Sequence, residues 1–176
     1  MMTEVGTSGT TEIRSRVEAL LRALCEHDVD KIIALHTPDA VLEAPTLTAP
    51  VTGRAAIAVE FTAMFRAFPD LQFLMDELEV YVADSGRVAA RWRFIGTMTG
   101  PIDPPGYAPT GKKASVPGAC LYEFRDGLIA HRTIIYDSMG LLQQVGIMPA
   151  VDSTQARLIA GLQRAVALVA KTVRRR

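Results

Sequence analysis

Two cysteines, Cys25 and Cys120, are all that this 176-residue chain contains. They stand far apart, with no Cys-x-x-Cys and no His/Cys ligand spacing. A disulfide framework and a zinc site are therefore not expected. Charge of one sign is lacking too: 19 basic residues balance 19 acidic ones. No overall field draws the chain to nucleic acid or to a membrane surface. No apolar run reaches the roughly 18 residues that a membrane span needs. Residues 1–11, rich in Thr, Gly and Ser, lack the basic and apolar regions of a secretory signal. A soluble, cytoplasmic protein is the expectation. What is present is apolar: 49% hydrophobic against 22% charged residues marks a globular chain, not a disordered one.

Residues 1–11 are expected to be a disordered tail. Thr11 can N-cap a helix over about 12–27, where Ile13, Val17, Leu20, Leu21 and Leu24 form one stripe. Asp28 or Asp30 starts a short helix at 31–36 that Pro38 ends, and 40–43 make a short strand stopped by Pro45. Thr52 or Gly53 opens a third helix, with Ile57, Phe61, Met64, Phe65 and Phe68 at helical spacing. After Pro69-Asp70 the pattern turns to strands at 71–82, 88–95, 114–124 and 128–136, the last two joined by Asp126-Gly127, a type I′ hairpin signal. Residues 96–111, rich in Gly and Pro, form a loop long enough to serve as a lid or partner surface, or else to move. Helices followed by long strands predict an α+β domain over 12–149, with helices packed on one face of a curved antiparallel sheet. Residues 150–176 follow as an amphipathic extension. Its helix carries Ile159, Leu162, Val166, Val169 and Val173 in a stripe, expected to pack on its own domain or on a partner subunit.

Residues 127–146 carry the most information. A β-branched strand, Leu128 to Tyr136, runs into a single carboxylate, Asp137, followed by Ser-Met-Gly-Leu-Leu-Gln-Gln-Val-Gly146. A carboxylate at such a place is costly to bury ionised. Asp137 is therefore either a general acid/base in a pocket or the N-cap of the turn 138–144. Hairpin parity without a bulge sets Tyr122 opposite His131, Cys120 opposite Thr133 and Val116 opposite Asp137. It thereby gathers an acid, an imidazole and a phenol on one face; a bulge flips part of that set. Trp92 reads as core or pocket wall, and Cys120 as a small buried hydrophobe. Glu43 is solvated or at a cavity mouth, Arg91 and Arg93 are solvated or at an interface, and His36 is structural.

Phe68-Pro-Asp70, the strand Val88-Ala-Ala-Arg91-Trp92, Gly96-Thr-Met-Thr-Gly100, Pro109-Thr-Gly111, Phe124-Arg-Asp-Gly127 and the Asp137–Gly146 segment stand in the order and spacing of SnoaL-like polyketide cyclases. The chain resembles that family, part of the nuclear transport factor 2-like superfamily, over about residues 12–149. The resemblance implies a conical α+β barrel, a curved sheet wrapped around the N-terminal helices with a deep apolar cavity inside. It implies homodimers or higher oligomers through the outer sheet face, and a small hydrophobic or polyketide-like substrate. It also implies ring closure by intramolecular aldol condensation without metal or cofactor. Asp137 matches the family's acid/base carboxylate, whose pKa desolvation should raise. The candidates around it are His131, Tyr122, Trp92, Cys120, Thr133, Phe61, Phe65, Glu43 and Arg91.

The chain departs from the family at Met98 and Tyr122, where His is common, at His131, where an acid is common, and at Thr133, where Trp is common. Two sister chemistries lack their residues. The Arg-x-Asp pair of epoxide hydrolases reads Arg91-Trp92-Arg93, and the base position of ketosteroid isomerases, before Pro45, is Ala44. The alternatives are a non-catalytic binder of hydrophobic ligands or dimerisation module of the same fold, and an epoxide-opening enzyme using Asp137 with Arg91.

Overall fold

A computed structural model of the chain describes residues 6–84 and 86–173. The elements are α1 (Gly6–Cys25), α2 (Val29–Ala34), β1 (His36–Glu43), β2 (Val51–Thr52), α3 (Arg54–Ala67), β3 (Gln72–Phe73), a 3₁₀ turn at Met75–Glu77, β4 (Glu79–Asp84), β5 (Arg87–Thr97), β6 (Lys113–Arg125), β7 (Leu128–Tyr136), α4 (Ser138–Gln144) and α5 (Thr154–Val173). Helix α1 begins at Gly6, so residues 6–11 are helical and not a tail; residues 1–5 lie outside the described residues. The stripe Val17, Leu20, Leu21 and Leu24 is buried as the spacing predicts. Asp28 caps α2, accepting the Lys31 backbone N–H at 2.9 Å.

The strands form one curved sheet in the order β2-β1-β7-β6-β5-β3, with β4 also on β5. Helices α1 and α3 pack against the sheet, which makes the α+β fold that the sequence pattern predicts and the cone that the resemblance implies. One pairing departs from the expected antiparallel sheet: β1 runs parallel to β7. No hairpin joins these two strands, so no turn dictates their direction. On β5 the inward set Val88, Ala90, Trp92 and Phe94 is buried and alternates with more exposed residues, the period-2 signature of a sheet with one covered face.

The β6–β7 hairpin turns on Asp126 (φ 53°) and Gly127 (φ 74°), the two positive φ values that a type I′ turn requires. Its register then slips. Arg125 faces Leu128 and Phe124 faces Ile129, but Glu123 faces His131, leaving Ala130 as the extra residue of a bulge. Past it, Tyr122 faces Arg132, Leu121 faces Thr133, Cys120 faces Ile134 and Gly118 faces Tyr136. The expected shared face is therefore corrected. Tyr122 and Cys120 point with Arg132, Ile134 and Tyr136, while His131, Thr133 and Ile135 belong to the opposite face. The β1–β7 register shifts at the same level, between His36 and Val41, so both sides of β7 are irregular where the sheet bends.

The loop after β5 is stitched down. Met98 is fully buried, its N–H donates to Lys112 O at 2.9 Å, and Gly100 N–H donates to Ala67 O at 3.1 Å. A Cβ on Gly100 would stand 1.8 Å from Arg66 O, so only glycine allows this approach to the end of α3. On α5 the stripe faces solvent and not the domain: Leu158 is 77% exposed, and Ile159, Leu162 and Val166 are exposed as well. The side chains of Val169 and Val173 lie outside the described residues. No helix among the described residues is long and apolar enough to cross a membrane.

Candidate functional site

The cone encloses a cavity of 370 Å³ between α3 and the inner face of the sheet. That volume lies in the range of small-molecule sites, about 300–1,000 Å³. Helix α3 supplies Glu60, Phe61, Ala63, Met64 and Ala67 to its wall, the spacing of one helical face. Leu42 on β1, Trp92 and Phe94 on β5, and Arg132, Ile134 and Tyr136 on β7 complete the interior. Residues 46–49, together with Ile102, Asp103 and Pro104 of the stitched loop, also line it. The long loop thus contributes to the cavity.

Besides Glu60 on α3, the interior carries a polar group on and behind the β6–β7 wall. Trp92 Nε1–H donates to Cys120 Sγ at 3.2 Å. The indole lies over Gly118, where a Cβ would meet it at 2.3 Å, so the mid-strand glycine makes room for the ring. Tyr122 is buried and its hydroxyl has no hydrogen-bond partner among the described residues; burial, then the adjacent Cys120, push the phenol well above its ordinary range. Arg132 is 2% exposed and lines the cavity, with Nε and Nη1 unpartnered. Its Cζ sits 5.3 Å from the Phe61 ring centroid and 5.6 Å from that of Tyr122. His36, fully buried on β1, hydrogen-bonds Ile32 O through Nδ1 at 2.8 Å, while its Nε2 is unpartnered. A carbonyl accepts only from N–H, so the neutral tautomer carries its proton on Nδ1 and leaves a lone pair on Nε2. Burial, then the Arg132 charge, lower its pKa from 6.5 to about 4. On the cavity wall, Tyr136 is held above its ordinary range by burial.

The residues singled out in the sequence separate into groups. Trp92 and Phe61 line the cavity; Tyr122 and Cys120 belong to the buried polar group beside Arg132. Phe65 faces elsewhere and stacks on His27 with centroids 4.3 Å apart. Glu43, His131 and Thr133 form a half-exposed cluster off the cavity: His131 Nε2 lies 3.1 Å from Glu43 Oε1, and Thr133 Oγ1 donates to Glu43 Oε2 at 3.4 Å. Arg91 pairs with Glu79 in solvent at 3.1 Å, not with Asp137. Asp137 is exposed, accepts the Gly140 N–H at 2.8 Å as N-cap of α4, and is not among the cavity-lining residues. Arg132 and Glu60 escaped the sequence reading. For Arg132 the signal was an arginine within the β-branched run Ile129–Ile135, but bulge-free parity points it outward. Among the described residues no cluster of three His, Cys, Asp or Glu side chains is placed to hold a metal ion.

Residues 14–145 match the sequence profile of the SnoaL-like polyketide cyclases. The chain belongs to that family. Among solved structures it is similar to AclR, a proposed hydroxylase from Streptomyces galilaeus, with 25% identity over 93% of this chain and 98% of that one, and a TM-score of 0.67. A proposed polyketide cyclase from Xanthomonas campestris pv. campestris aligns at 24% identity over 79% of this chain and 100% of that one, with a TM-score of 0.70. A ketosteroid-isomerase-like protein from Catenulispora acidiphila, in complex with trimethylamine, aligns at 19% identity over 74% and 92% of the two chains, with a TM-score of 0.63. The latter two share the fold. No curated protein matches the chain. Membership in this family supports a small-molecule function of the cyclase type.

Proposed function

We propose that the protein is a cofactor-independent enzyme that moves a proton on an enolisable, largely apolar substrate held in the cone cavity, as an aldol cyclase or isomerase does. The observation that carries this reading is the 370 Å³ cavity, walled by Phe61, Trp92, Phe94 and Ile134 and lined also by a half-buried carboxylate residue, Glu60. A carboxylate beside a bound carbon acid can take its proton and return it to the carbonyl that becomes a hydroxyl. The family resemblance offers Asp137 for this role. The geometry favours Glu60, because Asp137 is engaged at the cap of α4.

The test needs no natural substrate. 2-Tetralone in D₂O exchanges its C1 protons through an enolate, and NMR follows the exchange. Wild-type protein is expected to accelerate it, Glu60→Gln to lower the rate at least about tenfold, and Asp137→Asn to retain it, since Asn still caps. Loss in Asp137→Asn with retention in Glu60→Gln returns the role to Asp137. No acceleration by wild type supports the second reading, a binder without turnover. That reading is favoured by the lack of any buried carboxylate among the described residues.

The exposed Ile95, Leu121 and Ile135 mark the outer sheet surface for a homodimer. Light scattering that reports a monomer at micromolar concentration would contradict that part of the proposal.

A further inference from the structure

A guanidinium stays protonated inside a protein, so Arg132 carries a full charge at 2% exposure. No salt bridge among the described residues reaches it, and two of its three nitrogens, Nε and Nη1, lack a hydrogen-bond partner. The Phe61 and Tyr122 rings, at 5.3 and 5.6 Å, supply cation–π attraction. That attraction replaces only part of the hydration a buried ion gives up. The phenol of Tyr122 stays neutral near pH 7 and gives no counter-charge. The cavity wall residues Trp92, Phe94 and Ile134 are apolar. The cavity therefore holds one permanent positive charge that no carboxylate among the described residues pairs, although Glu60 and Asp103 also line the chamber.

We propose that Arg132 is an anion-recognition residue and that the natural ligand is an apolar carboxylic acid, its carboxylate on the guanidinium and its body along Trp92, Phe94 and Ile134. The inference rests on the cavity being the ligand site, and it names the substrate class for that site. A ligand that is ionised before any reaction matches a side chain whose charge is permanent. The planar guanidinium also matches a carboxylate in shape. A neutral ketone would leave the buried charge as it is.

The experiment is calorimetric titration of the full chain at pH 7.5 with 2-naphthoate and with its neutral isostere 2-naphthamide. Wild type is expected to bind the carboxylate about ten to a hundred times more tightly. Arg132→Met should lose that preference while still binding the amide. Equal affinity of wild type for both probes overturns the carboxylate assignment and leaves the cavity reading standing. Binding of neither probe overturns both. Preference for naphthoate that persists in Arg132→Met overturns Arg132 as the recognising group. Removing an uncompensated buried ion should leave the melting temperature of Arg132→Met no lower than wild type. If that variant nevertheless does not fold, Arg132→Gln, which keeps donors and removes charge, reads the same preference.

Discussion

The two faces of strand β7 treat charge in opposite ways. On one face His131 and Thr133 meet Glu43 at 3.1 and 3.4 Å, every group has a partner, and all are half-exposed. On the other face, one residue away, Arg132 is buried and cationic and has no ion pair among the described residues. Paired polar groups exposed to water carry small energetic weight. Unpaired charge in the interior is costly, and stability alone gives no reason to keep it. The inner face is therefore where function is to be sought, although the outer one has the more familiar-looking acid and imidazole.

Substitutions can sharpen this contrast. The largest effect is expected at Trp92, where truncation to Ala removes a buried indole and should cost about 3–5 kcal/mol in urea unfolding. Next is His36. Its folded pKa of about 4 lies below the 6.5 of the unfolded chain, so the unfolded state takes up the proton first. Stability is full above pH 6.5 and should fall by about 3 kcal/mol as pH drops toward 4. His36→Asn, which keeps the N–H toward Ile32 O, should flatten that slope. At Asp137 the substitution to Ala should cost about 1 kcal/mol by loss of the helix cap, whereas Asn should cost almost nothing. Smallest is the outer pair: Glu43→Gln should change stability by less than about 1 kcal/mol. A larger loss there than at His36 would reverse the contrast.

The fold was legible in the sequence because its signals are local and repeated. The α1 stripe, the Asp126-Gly127 turn and the alternation on β5 each specify an element without reference to the rest of the chain. The site was only partly legible. Trp92, Tyr122, Cys120 and Phe61 were singled out on residue type and stand on or beside the cavity. Hairpin parity groups His131 and Thr133 with Tyr122 and Cys120, but that parity holds only until Ala130, and one inserted residue exchanges the faces. That bulge lies where the registers of both β1–β7 and β6–β7 shift, and no residue near Ala130 announces it. Asp137 shows the other limit. A carboxylate opening a turn and one facing a cavity share the same sequence context, and only the hydrogen bond to Gly140 tells which the structure contains.

The most direct test sets the two faces against each other in one assay: exchange of 2-tetralone C1 protons in D₂O, followed by NMR with folding checked by circular dichroism. Ile134→Trp fills the cavity from the inner face, and the double variant Glu43→Gln with His131→Ala dismantles the outer cluster. The account predicts that exchange is lost in the first and retained in the second; loss in the outer variant with retention in the inner one would contradict it.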